Sequence, residues 1–299
     1  MNPPAPRRTP SWRRLDLGDQ LLPESPRWAP QTRTLGWVDI VAGTLAEATY
    51  CPRTRTWSSP RVRHLGGMPT SAEPVPDQPR AWDVVRDGRL HRLPASQDTL
   101  TDPGRLIVED FPAIRTNDTT RDPAGRLLAG LFTEDRTSPA GGVVSLQPPH
   151  GPLHHPVTGV VTANGIGLSG DGETLYLIDT ARGHLLAFPY DTATGRAGAG
   201  TVRVQHEGPG KLDGLLVRPD ETLLVAVWDE AAVHRYDPSG RLLEIYAAPA
   251  SRPTALAALS TPAAGVVLTC ASTTRGATPA PGSDQERPDG GLYYTEEIR

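Results

Sequence analysis

The chain has 299 residues, a formal net charge of −4, 37% hydrophobic residues, 30 Gly and 32 Pro. A slightly acidic balance leaves no basic footprint, so neither nucleic acid nor a membrane surface is an expected partner. No apolar run approaches a membrane span, and Met1 to Arg14 is rich in Pro and Arg without the apolar core of a secretory signal; the expected compartment is the cytoplasm, with Cys51 and Cys270 as two reduced thiols.

Residues 1–10 read as a disordered tail and 11–299 as one domain. Along that domain six segments share one pattern: an apolar strand, a small or Gly-containing turn, and a second apolar strand. In chain order the first strands are Leu35 to Ile40, Ala81 to Val85, Arg126 to Leu131, Thr174 to Asp179, Thr222 to Trp228 and Gly265 to Cys270. Their partners begin near Leu45, Leu90, Gly142, Leu185, Val233 and Gly291. Anchored at Gly36, Trp82, Leu128, Leu175, Leu223 and Val266, the steps are roughly 43 to 48 residues, a period of four strands per propeller blade. Helical repeats do not suit runs this short and so often broken by Gly and Pro. The expectation is an all-β, six-bladed β-propeller of four-stranded antiparallel blades around a central channel. Ser11 to Leu17 is expected to close the ring against Tyr293 to Glu297. Pro69 to Pro79 and Ser272 to Gly290 read as loops without strands, candidates for a lid.

Glu24, Asn117, Asn164 and Asp213 each fall about ten to thirteen residues before one of the apolar strands, in the same register of the repeat. Taken singly, Asn164-Gly165 and Asp213-Gly214 are ordinary turn dipeptides, but independent turns need not keep step with a repeat. In a closed ring, residues of one register converge on the axis. Two carboxylates and two carboxamides make an all-oxygen donor set of charge −2, suited to Ca²⁺, Mg²⁺ or Mn²⁺ and acceptable to Zn²⁺. Lys211, the only lysine, stands two residues before Asp213 and is a candidate for binding an anionic substrate; its bland alternative is a solvated loop residue. The pair His154-His155 reads as a loop position before blade four, and His206 as equally unremarkable. Neither a Gly-x-Ser-x-Gly elbow nor a Walker-type loop is present.

Several motifs in a fixed order carry a family resemblance. They are Glu24-Ser25-Pro26-Arg27-Trp28 with Trp37-Val38-Asp39-Ile40, and Arg115-Thr116-Asn117-Asp118 with Asp122-Pro123-Ala124-Gly125-Arg126. Asn164-Gly165 with Asp179-Thr180, Asp213-Gly214, and Val233-His234-Arg235-Tyr236-Asp237-Pro238-Ser239-Gly240 complete the set. Over most of its length the chain resembles the gluconolactonase-like or senescence marker protein-30 (regucalcin) family. The resemblance implies a propeller with one catalytic divalent metal that hydrolyses sugar-type lactones. It further implies Glu24, Asn164 and Asp213 as metal ligands with Asn117 beside them, Asp213 as general base, and Arg115, Asn117 and Asp135 as substrate contacts; Lys211 joins the substrate contacts only on its position two residues before Asp213. The small-molecule substrate is the only partner implied, and the chain is expected to be a monomer or weak homodimer.

Around that metal shell the sequence departs from the family pattern. Pro23 stands for a glycine, Thr119-Thr120-Arg121 for a stretch containing lysine, and Leu212 for a proline, while Thr254 in blade six remains available to the channel. An altered substrate shell keeps a second expectation open: a tailoring enzyme doing mass-neutral cyclisation or isomerisation at the same metal. A third is a binding propeller that uses the metal structurally.

Overall fold

The computed structural model describes residues 5–147, 151–260, 265–272 and 290–298. Each of six antiparallel sheets is one blade, and their innermost strands pack in cyclic order around an axis. These inner strands are Pro23–Ala29, Pro69–Pro74, Ile114–Arg121, Ala163–Leu168, Lys211–Val217 and Pro253–Leu259, in blades one to six. The second strands are Thr34–Asp39, Trp82–Arg86, Leu127–Thr133, Thr174–Asp179, Leu223–Trp228 and Gly265–Cys270. The six expected apolar segments are these second strands, shifted by a residue or two at most. A single 3₁₀ turn, Thr180–Arg182, is the only helical element among the described residues, and no helix there is long and apolar enough to cross a membrane.

The second strands are apolar throughout because both of their faces are buried. Successive side chains on a strand point to opposite faces. On Thr174–Asp179, Leu175 and Leu177 pack toward blade three against Leu128 and Val143, while Tyr176 and Ile178 pack toward blade five against Leu223 and Val225. Six clusters of buried hydrophobics result, one between each pair of neighbouring blades. The core is therefore a ring of interfaces rather than one central mass.

Among the described residues blade six has three strands of its own, and its fourth comes from the other end of the chain. Arg13–Arg14 pairs antiparallel with Gly291–Thr295, Arg13 opposite Tyr294 and Arg14 opposite Tyr293. The Leu15 amide continues the ladder to Leu292 O at 2.9 Å. Leu15 and Leu17 then bury themselves between blades one and six with Leu35, Trp37, Val267 and Leu292. This is the closure the sequence led us to expect.

Three expectations are corrected. Pro69–Pro74 is a strand, the inner strand of blade two, with Thr70, Ser71, Ala72 and Glu73 all buried in the channel wall; its short polar run flanked by prolines hides it from any periodicity argument. Within the supposed tail, Arg7–Arg8 pairs in parallel with Leu242–Ala247 at the outer edge of blade five, while residues 1–4 lie outside the described set. His154 and His155 lie on the outer strand Leu153–Val160 of blade three, both exposed, not in a loop. The lid expected between Ser272 and Gly290 falls on residues 273–289, outside the described residues.

Because Leu15 and Leu17 are each almost fully buried at the closure, either one replaced by Ala is expected to lower unfolding free energy by about 2–5 kcal/mol. Removal of residues 1–17 is expected to cost more than either substitution. Denaturant unfolding of the three variants checks this; unchanged midpoints would contradict the closure role.

Candidate metal centre and active site

Every inner strand breaks register with its neighbour near its first residues. In blade three Thr116 pairs with Leu131 and Thr119 with Ala129, so two residues, Asn117 and Asp118, oppose one. The same bulge holds Asn164-Gly165 in blade four, Asp213-Gly214 in blade five and Thr254-Ala255 in blade six. In blade one the break follows Glu24, where Ser25 adopts a φ of 49°, and in blade two it falls at Thr70. Bulges re-aim side chains next to active sites. Here they turn residues of one register toward the axis. The four residues lie on the channel-lining strands themselves, not in turns ahead of them.

The two glycines are explained by close approach rather than by turn geometry. A Cβ at Gly165 would stand 2.5 Å from Leu215 N, and one at Gly214 would stand 2.4 Å from Thr254 O. Only glycine lets the neighbouring inner strand come this near.

Bulge side chains also stitch neighbouring blades together. Asn117 Nδ2 donates to Ala163 O at 3.0 Å, and Asn164 Nδ2 donates to Asp213 Oδ1 and, at 3.1 Å, to Thr180 Oγ1. Thr180 spends its hydroxyl proton on Leu212 O, 2.8 Å away, so it must accept from Asn164. That fixes the amide: nitrogen toward blade five, oxygen left over. Among the described residues no donor reaches Oδ1 of either Asn117 or Asn164. Thr254 does not do what the sequence suggested. It is fully buried, its hydroxyl donating to Pro23 O at 2.7 Å and meeting Thr269 Oγ1 at 2.7 Å. It closes blade six on blade one and is not available to the channel.

The axial carboxyls are crowded. Burial first, then repulsion from Asp213 and Asp118, pushes the Glu24 carboxyl well above its ordinary value, against the Ser25 amide and Arg27. Asp213 is raised likewise by burial and by Asp118, against the Asn164 hydrogen bond and the Arg136 charge. Asp118 is pushed up to about 6, chiefly by burial, with Arg27 opposing and Glu73 reinforcing. Buried carboxyls that repel one another beside two unused carboxamide oxygens fit a hard divalent cation, which would offset their charge. Histidine and cysteine contribute nothing: among the described residues no three His, Cys, Asp or Glu side chains form a metal-ligating group. Any bound ion would therefore rely on the mixed carboxylate–carboxamide set of Glu24, Asn117, Asn164 and Asp213.

Sequence reasoning overlooked the layer behind this set. Arg27 Nε meets Glu73 Oε1 at 2.7 Å and its guanidinium also reaches Thr119 O; Thr119 Oγ1 donates to the same Glu73 oxygen at 2.9 Å. With Asp118 they form a buried polar plug across blades one to three. Arg27 and Asp118 sat inside motifs used for the family match, whereas Glu73 was hidden in the segment read as a loop.

The remaining expected residues occupy the mouth. Arg115 donates to Glu134 Oε2 at 2.9 Å and lies 5.4 Å from the centre of the Phe132 ring. Asp135 sits in the turn after Leu127–Thr133, its Oδ1 accepting from Thr133 Oγ1 at 2.7 Å and from the Thr137 and Ser138 amides at 3.0 and 3.1 Å. Those bonds hold its carboxyl well below the usual range. Lys211 begins the inner strand of blade five, exposed and without an ion pair among the described residues. His206 packs beside Glu230 and His234 on the outer side of that blade. No polar contact joins Asp135 or Lys211 to the four axial residues.

The family model described as the SMP-30/gluconolactonase/LRE-like region matches residues 22–266. The chain belongs to that family. A pentonolactonase of Haloferax volcanii is 29% identical over 242 residues, 79% of this chain and 77% of that one. Regucalcin of Danio rerio is 28% identical over 233 residues, 77% and 76% of the two chains. The solved structure of a calcium-binding regucalcin from Agrobacterium tumefaciens superposes with a TM-score of 0.79 at 25% identity, covering 97% of this chain and 94% of its own. As a member of the SMP-30/gluconolactonase/LRE-like family the chain has its axial residues inside the matched region, while the closing strand Arg13–Arg14 lies outside it.

Two outcomes follow from the crowded carboxyls. Without added metal, Asp213→Asn should raise the melting temperature by relieving buried repulsion, yet abolish the stabilisation that a divalent ion gives the wild type; a thermal-shift series with and without Ca²⁺ or Mn²⁺ reads both. Asp118 has a folded pKa of about 6, above its ordinary 3.8. The folded state therefore holds that proton more tightly than the unfolded chain. The stability it contributes is present below the ordinary value and is lost as pH rises toward 6. Asp118→Asn should flatten the metal-free stability curve between pH 4 and about 6, and an unchanged slope would contradict the assignment.

Proposed function

We propose that the protein is a divalent-metal-dependent lactonase that hydrolyses a small polar, sugar-type lactone to its hydroxy acid. The observation that carries this reading is the axial set: two mutually repelling carboxyls and two carboxamides with free oxygens, Asn117, Asn164 and Asp213 standing in the bulges of blades three to five and Glu24 immediately before the break of blade one. Membership of a family that includes a protein named pentonolactonase supports the reaction class, and the calcium-binding relative supports a cation.

Glu24, Asn164 and Asp213 would hold the cation, with Asn117 beside it. When bound, the cation supplies a Lewis acid for the lactone carbonyl, where negative charge develops during attack. Asp213, whose carboxyl stands in this axial set, accepts the proton of the attacking water. The water oxygen bonds to the carbonyl carbon, the ring C–O bond breaks, and the proton returns to the departing ring oxygen. The new carboxylic acid then ionises, releasing one proton per turnover. Asn164 is held against rotation by Thr180, so its oxygen is fixed before substrate arrives. Arg115, at the mouth, is placed to bind a ring hydroxyl or the product carboxylate. A closed ring leaves no sheet edge that requires a partner, and the reading includes a monomer.

The test is a pH-indicator screen of metal-stripped protein on aldono-, aliphatic and aromatic lactones, with Ca²⁺, Mg²⁺, Mn²⁺ and Zn²⁺ restored separately. Turnover restored by metal and lowered at least about 10³-fold in Asp213→Ala is expected for loss of a catalytic base. One ¹⁸O atom from labelled water should enter the product. Metal binding accompanied by a product of unchanged mass would replace hydrolysis by cyclisation or isomerisation.

A further inference from the structure

We propose that Arg136 determines substrate specificity, reading a carboxylate carried by the substrate in addition to its lactone group. This rests on the lactonase reading above and narrows it to lactones of acidic sugars or comparable polar acids.

Three observations place Arg136 at the mouth of the same channel. Its guanidinium lies 4.7 Å from the centre of the Phe132 ring, the ring on which Arg115 lies at 5.4 Å. Phe132 is the ladder partner of Arg115 and also bridges to Thr162, the second residue before Asn164. Its ring thus belongs to the seam between the inner strands that carry Asn117 and Asn164.

The turn is built to present this side chain. Arg136 adopts a φ of 52°, in the left-handed region that non-glycine residues rarely occupy. Asp135 holds it there, accepting from Thr133, Thr137 and Ser138 on both sides, while the Arg136 amide donates to Thr133 O at 2.9 Å. Asp135 is thereby a positioning residue: its accepted bonds go to the turn, and Arg136 is the cation that the turn carries.

That charge has no counterpart. Arg115 is offset by Glu134, whereas Arg136 has no ion pair among the described residues and is exposed. Two guanidiniums on one aromatic ring repel each other, and an oxyanion between them relieves the repulsion through charge-assisted bonds. With a divalent ion offsetting Glu24 and Asp213, the cations Arg115, Arg136 and Lys211 outnumber the carboxylates Glu134 and Asp135 at the mouth by one. A carboxylate gains more from such an arrangement than the hydroxyl of a neutral lactone does.

The probes are an aldonate and the aldarate of the same sugar, which differ by one terminal carboxylate, and the two corresponding lactones. Calorimetric titration of wild-type protein, with and without added Mn²⁺, should show the aldarate bound at least about tenfold more tightly than the aldonate. Arg136→Met keeps an apolar stem over Phe132 and should collapse that ratio, Arg136→Lys should keep part of it, and added salt should shrink it. The kcat/KM ratio of aldaric to aldonic lactone should fall in parallel, through KM. A wild-type ratio near one, or a ratio unchanged in Arg136→Met, overturns the proposal even if lactones are turned over. A binding ratio that collapses in Arg136→Met while no lactone is hydrolysed supports the anion site and overturns hydrolysis instead.

Discussion

Everything functional in this propeller depends on one backbone irregularity repeated six times. Each inner strand slips register against its neighbour close to its start, and the residues at or beside the slip leave the regular alternation of the ladder. A regular strand would alternate side chains between the two flanking blades and leave the axis lined by backbone. The bulge supplies a third direction. What occupies it then divides by role: Thr70 meets Thr116 Oγ1 at 3.1 Å and Thr254 bonds Pro23, both binding blade to blade, while Asn117, Asn164 and Asp213 expose oxygen to the channel.

The same irregularity creates an electrostatic problem that a cation would solve. Asp118 and Asp213 are buried and Glu24 is partly so, and each is driven toward its protonated form by burial and by its neighbours. Arg27 is the nearby cation, but it is engaged by Glu73 in the layer behind. An arrangement like this is costly for an empty fold. A divalent ion at the axis would offset that cost, and its binding would then be linked to stability.

The architecture was legible where burial writes a pattern. Second strands lie between two blades, so they are apolar on both faces and stand out as runs such as Thr174 to Asp179. Inner strands face a polar channel on one side and tolerate Pro, Thr and Ser, so Pro69–Pro74 reads as loop and carries no period. Asn117, Asn164 and Asp213 share a bulge position because the repeat length is nearly constant, which let spacing stand in for geometry, whereas Glu24 is the last paired residue before the break in blade one. Spacing could not reveal what each side chain touches. Thr254 shares the register of Asn164 yet is consumed by Pro23 and Thr269, and Asp135 caps its own turn. Glu73 and Arg136 escaped notice because they gain meaning only from partners 46 residues away and from a shared ring.

The most direct measurement of the central claim is an anomalous difference map from crystals grown with Mn²⁺. The account predicts one strong axial peak within about 2.0–2.6 Å of oxygens from Glu24, Asn164 and Asp213, with the Asn164 amide nitrogen still turned toward Thr180. A peak held by other residues, or an axis empty at saturating metal, would contradict it.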